Sequence, residues 1–200
     1  MIDVEVIDDP AAAVVALDPV RARLLAALAE PGSAATLASR VGLTRQKVNY
    51  HLRALESHGL VRQVEERRWG GLTERLLVAT AASYVISPGA LGAAASDPGR
   101  SSDRLSARYL VALAARVVGE VAGLARRAEA EGKRLATLAI DTEIRFRSAA
   151  ERAAFAEDVA AAVASLASRY HDPAAEEGRS YRLMVAAHPV PHDPDAKEQR

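Results

Sequence analysis

Seven side chains in a ten-residue stretch, Thr44, Arg45, Gln46, Lys47, Asn49, Tyr50 and Arg53, carry hydrogen-bonding groups suited to base edges or phosphates. Amides offer a donor and an acceptor side by side, as an adenine edge requires, and Arg matches guanine or a phosphate. A second cluster, Arg67, Arg68 and Trp69, lies about twenty residues on. Over residues 44–80 seven cations face four glutamates, whereas the whole chain has 26 Lys and Arg against 26 Asp and Glu. The net charge of zero argues against a basic coat but leaves room for one focused basic face.

Other chemistries are poorly supported. The chain has no Cys, which removes disulfides, thiolate metal sites and cysteine nucleophiles together. His171, His188 and His192 show no carboxylate/His pattern at helical spacing, so neither metal nor cofactor is expected. Asp141 and Glu143 fall two apart in a strand-like segment and mimic a catalytic carboxylate pair. Arg145 and Arg147 continue the same alternation, so a salt-bridged exposed strand face is the expectation. No phosphate-cradling glycine loop, nucleophile elbow or zinc spacing is present, and no enzyme is expected.

These groups need elements to hold them. Asp18 suits a helix N-cap and Pro19 the first helical position, with Val20, Leu24, Leu25 and Leu28 at helical spacing. Ser33 opens a short second helix with Leu37 and Val41, and Gly42 ends it. Thr44 caps a third helix, 44–58, whose stripe is Val48, Leu52 and Leu55, and Gly59 stops it. Leu60, Val61 and Val64 begin a strand, Trp69-Gly70-Gly71 turns, and "LTERLLVAT" returns. "VEVI" at 4–7 alternates like a short strand, and 8–16 is ambiguous. Farther on, a long helix is expected from about 103 to 131, with Leu105, Tyr109, Leu113, Val117, Val121 and Leu124 on one face, widened by Leu110, Ala114, Val118 and Ala122. Strands are expected at 134–146 and 180–191. Between them "SAAE" at 148–151 opens a helix carrying Phe155, Val159, Val163, Leu166 and Tyr170.

Residues 18–80 resemble a winged helix-turn-helix of the ArsR/SmtB type. The stretch "VNYHLRALESHGLV" carries that family's His-Leu, its Leu three on, and its Gly-Leu-Val. The resemblance implies a dimeric, DNA-binding transcriptional regulator. Metal sensing is not carried over, because the Cys pairs and the His and acidic ligands are missing.

The fold class expected is α+β, mainly α: an N-terminal winged helix-turn-helix, then a long helix and a small β-α-β module. The domains are drawn as 1–85 for DNA binding, 86–102 as a Pro/Gly/Ser-rich linker, 103–191 for dimerisation and a small-molecule effector, and 192–200 as a disordered tail. The expected partners are double-stranded DNA and a second copy of the chain. The acidic N-terminus lacks the basic segment of a secretory leader, and no apolar run spans a bilayer, so a cytoplasmic location without membrane association is expected.

Blander readings stay beside these. Arg45, Gln46 and Asn49 also fit a solvated face. Tyr50 either crosses a phosphate or covers its helix. Trp69 either reaches the backbone or minor groove or packs under the turn. His51 is expected to be a hydrogen-bonded structural His, and His58 to serve the helix C-terminus. Two further functions compete with the regulator: a winged-helix assembly module that never meets DNA, and an enzyme domain at 103–191 fused to a regulator.

Overall fold

The computed structural model describes residues 2–69 and 72–191, without the side chains of Trp69 and Leu72. The turn at Gly70-Gly71, the Trp69 side chain and the tail 192–200 named above therefore lie outside the described residues. About half of the chain is helical. The elements are β1 (Ile2–Ile7), α1 (Pro10–Leu17), α2 (Pro19–Ala27), β2 (Gly32–Ser33), α3 (Ala34–Val41), α4 (Arg45–Ser57), β3 (Val61–Trp69), β4 (Leu72–Ala79), β5 (Ala81–Ile86), α5 (Ala107–Ala130) and α6 (Ala149–Tyr170). Two 3-10 segments, Pro88–Ala94 and Pro98–Arg100, precede α5.

Local chemistry sets the helix ends. The Asp18 carboxylate accepts from Val20 N at 2.9 Å and Arg21 N at 3.0 Å, and Pro19 follows at a position that needs no donor. Asp9 caps α1 in the same way ahead of Pro10. Ser33 and Thr36 form a reciprocal capping box at α3. Gly42 and Gly59 both sit at φ 70°, the left-handed conformation that glycine adopts without a Cβ clash.

The core of this half joins α1 to α4 with β1 and the ribbon. Leu24, Leu28, Leu37, Val48, Leu52, Leu55, Leu60, Val61, Leu77 and Ala79 form one buried cluster. The stripes expected on the three helices are thus buried, apart from the half-buried Val20. β2, β4 and β3 make an antiparallel sheet in that order. The β3/β4 register shifts between Gln63 and Glu65, a bulge that leaves Val64 unpaired and exposed.

β1 runs parallel to β5, with Val4 opposite Ser83 and Ile7 opposite Ile86. β5 and β2 were not expected from the sequence. Tyr84 on β5 donates from its hydroxyl to Leu60 O at 2.8 Å, and Thr80 N donates to the same carbonyl at 3.1 Å. This ties the chain just after α4 to the parallel pair.

The chain divides into two compact units, Met1–Leu135 and Ala136–Arg200. The segment drawn as a linker, 86–102, lies within the first unit. Its caps are Ser87, whose hydroxyl accepts from Gly89 N at 3.1 Å, and Asp97, which accepts from Gly99 N at 2.8 Å. Ser87 is 1% exposed. Its Pro/Gly/Ser composition serves capped turns rather than a free tether. α5 touches β1 and both 3-10 segments, so the first half of the expected C-terminal domain packs with the N-terminal elements. Its buried positions are Ala112 and Ala122, while Val111, Val121 and Leu124 stay exposed. Of the expected face, Ala122 is buried and Tyr109, Leu113 and Val117 are half-buried.

In the second unit α6 forms as expected, capped by Ser148, whose hydroxyl accepts from Glu151 N at 3.1 Å. The flanking strands do not form. Residues 136–146 and 179–190 are free of helix and sheet, so a β-α-β module is not assembled within one chain. α6 has no buried residue. Phe146 and Phe155 meet with ring centroids 5.3 Å apart.

Candidate nucleic-acid interface

α4 is amphipathic in a way that separates structure from display. Val48, Leu52 and Leu55 are at most 2% exposed. Thr44, Arg45, Gln46, Lys47, Asn49, Tyr50 and Arg53 are all exposed. The helical repeat puts the buried three on one side, so the polar seven are forced outward.

The two ends of α4 are closed by different chemistry. At the start, Thr44 Oγ1 accepts from Lys47 N at 3.3 Å. This satisfies one orphan amide and leaves others near the positive end of the helix dipole, where a phosphate is favoured. At the finish, Gly59 N donates to Glu56 O at 3.0 Å and Leu60 N to Leu55 O at 2.9 Å. That paired pattern is a Schellman cap, and its left-handed residue turns the chain directly into β3. α3 and α4 are joined by Gly42, Leu43 and Thr44, a three-residue turn.

Ion pairing sorts the cations into two groups. Arg67 grips Glu65 with two bonds, Nε to Oε1 at 2.7 Å and Nη2 to Oε2 at 3.0 Å. Arg68 lies 3.5 Å from Glu66. Arg75 pairs with Glu56 and donates to Gln63. The bidentate contact holds the Glu65 carboxyl below the usual carboxylate range and raises the Arg67 guanidinium. Arg45, Lys47, Arg53 and Arg62 make no ion pair among the described residues. The free positive charge therefore sits on α4 and the base of β3, while the ribbon arginines are partly neutralised by their own strand.

All ten sequence-derived site residues are placed in this half, nine with described side chains. Arg67 and Arg68 are both exposed on β3. Two exposed cations were missed in the site list, Arg62 and Arg40, the latter in the last turn of α3. The Glu65–Arg67 and Glu66–Arg68 pairs had a readable signal, since residues two apart on a strand share a face. His51 departs from expectation: its Nδ1 is buried without a hydrogen-bond partner among the described residues, and its ring meets Tyr50 edge-on at 5.4 Å. His58 sits at the α4 C-cap as expected and also approaches the Asp9 carboxylate at 3.7 Å.

A family model described as a helix-turn-helix domain matches residues 16–64. The chain carries a helix-turn-helix domain. The match runs from the end of α1 through α4 into β3, and so covers the three helices but not the whole ribbon. It supports a DNA-binding regulator in general terms. A comparison with curated proteins found no match. No helix among the described residues is long and apolar enough to cross a membrane.

Proposed function

We propose that this protein is a sequence-specific transcriptional regulator of the ArsR/SmtB-like winged-helix kind that acts as a homodimer without a metal. α4 enters the major groove, and Arg45, Gln46 and Asn49 read base edges. Lys47, Tyr50 and Arg53 meet flanking phosphates, with Thr44 at the helix start. The β3–β4 ribbon rests Arg67, Arg68 and Trp69 on the backbone or in the minor groove. The observation that carries this reading is the exposure of all seven polar residues on a helix whose other side is sealed into the core. In a dimer the two α4 helices meet half-sites about one helical turn (~34 Å) apart. The remainder of the chain serves dimerisation and response to a small-molecule effector rather than catalysis, and the protein works in the cytoplasm.

The test is a fluorescence titration against random and selected duplexes at several salt concentrations. The proposal expects random-duplex binding at low salt and much tighter binding to selected sites. Absence of any affinity at low salt overturns it. One observation favours a second reading, a protein-assembly module: Glu65 and Glu66 hold the ribbon arginines, and the whole chain is neutral. That reading predicts no duplex binding at any salt concentration.

A further inference from the structure

We propose that residues 141–147 form a dimer contact by pairing antiparallel with the same residues of a second copy, about a two-fold axis through Ile144. The proposal names the surface for the homodimer assumed above and rests on that part of the reading alone.

The segment is "DTEIRFR", Asp141 to Arg147. Residues 141–146 belong to a stretch free of helix and sheet, and residues 136–146 make no backbone–backbone hydrogen bond among the described residues. Asp141, Glu143 and Arg145 are exposed and make no ion pair among the described residues, in contrast to the salt-bridged strand face expected from their alternation. A segment outside helix and sheet, with backbone groups and charges not paired within the described residues, is open to pairing with another strand.

The charges select the occupant and the register. In an antiparallel pair, directly opposed residues lie on the same face. With Ile144 opposite its own copy, Glu143 meets Arg145 and Asp141 meets Arg147, and symmetry doubles each contact. Moving the axis to residue 143 or 145 sets Glu against Glu or Arg against Arg. Placing it between two residues sets the charged face against the apolar one. Only the Ile144 register matches every charge with its opposite, as a two-fold interface demands.

The backbone agrees. Arg147 N is already taken, donating to Glu151 Oε2 at 2.6 Å. If Thr142, Ile144 and Phe146 supply the ladder bonds, that contact is undisturbed. The charge pairs then fall at the non-hydrogen-bonded positions, where opposing side chains are closest. Arg147 keeps Glu151 as a second carboxylate partner. The other face of the ribbon carries Ile140, Thr142, Ile144 and Phe146, continuous with Phe155 of α6 through the ring contact. The second segment free of helix and sheet, 179–190, has no such self-matching charge order, since its charged residues are Arg179 and Arg182.

The experiment is a charge-reversal cycle in the full chain, read by sedimentation equilibrium at low salt, with random-duplex binding measured on the same samples. Glu143→Arg and Arg145→Glu should each weaken the dimer by at least about tenfold, because each sets like charges opposite at two places. The double variant E143R/R145E restores the pairs in reversed sense and should regain dimerisation close to that of the original chain. Circular dichroism distinguishes an unfolded single variant, and the double variant decides in that case. The proposal is overturned by a monomeric original chain at ~100 µM, by a dimer indifferent to E143R, or by a double variant no tighter than the singles. Duplex binding reports on α4 independently, so loss of it in the original chain counts against the regulator reading and not against this contact.

Discussion

At the scale of single residues, the exposed groups of α4 divide into those that read sequence and those that hold the duplex. The side chains of Gln46 and Asn49 make no hydrogen bond among the described residues, and both are exposed. Gln46→Ala and Asn49→Ala should each cost about 1–3 kcal/mol for a selected site, leaving random-duplex affinity unchanged. Competition titrations with both duplexes check this. Lys47→Ala should weaken both alike and flatten the salt slope by about one unit. Asp18 offers a test of stability. The amide of Arg21 holds its carboxyl below the usual range; burial opposes it, and the amide of Val20 adds to it. A depressed folded pKa means that the stabilisation is complete above the ordinary carboxylate pKa. It is lost as pH falls through the lower folded value. Asp18→Ala should therefore cost about 1 kcal/mol at pH 7 by urea unfolding. The gap should close as pH is lowered below about 4.

At the scale of elements, the ends of α4 govern where its polar face points. Gly59→Ala places a Cβ in the left-handed region at the Schellman cap and should destabilise the protein by roughly 1–2 kcal/mol. Duplex affinity should fall further than stability explains if the cap aims the ribbon. The ribbon itself is more nearly neutral than its sequence suggests. Even so, a bidentate grip on Glu65 is exposed and exchangeable, and a phosphate competes for it. R67A/R68A should flatten the salt slope by about two units, one per phosphate contact. An unchanged slope removes the ribbon from the interface and leaves α4 alone. What was legible at this scale follows from locality. Caps at Asp18, Ser33 and Thr44, stops at Gly42 and Gly59, and the Val48/Leu52/Leu55 stripe all act within a turn or two. β5 was invisible because "AASYVI" becomes a strand only by pairing with β1, about eighty residues earlier.

At the scale of the molecule, composition misled where it stood in for contacts. The Pro, Gly and Ser of 86–102 resembled a tether, yet Ser87 and Asp97 cap turns with them, and α5 packs beside those turns. On α5 the expected face was legible in part: Ala122 is buried and Tyr109, Leu113 and Val117 are half-buried, whereas the buried Ala112 lay outside it because a small residue gives a weak hydrophobic signal. At the candidate site, the exposure of Gln46 and Asn49 followed from the buried stripe by helical geometry alone. Its pairing did not, because net charge over a segment does not show which cations are already engaged. The second unit, with no buried position on α6, lacks a core of its own among the described residues, which is consistent with a half-interface awaiting a second copy.

The most direct measurement is selection of bound duplexes from a random pool, carried out in parallel with the original chain and with Q46A/N49A. The account predicts that the original chain enriches a two-fold-symmetric site with half-sites about 10 base pairs apart, and that the variant binds the pool without enriching it. Enrichment of the same site by both proteins, or retention of no duplex by the original chain at low salt, would contradict it.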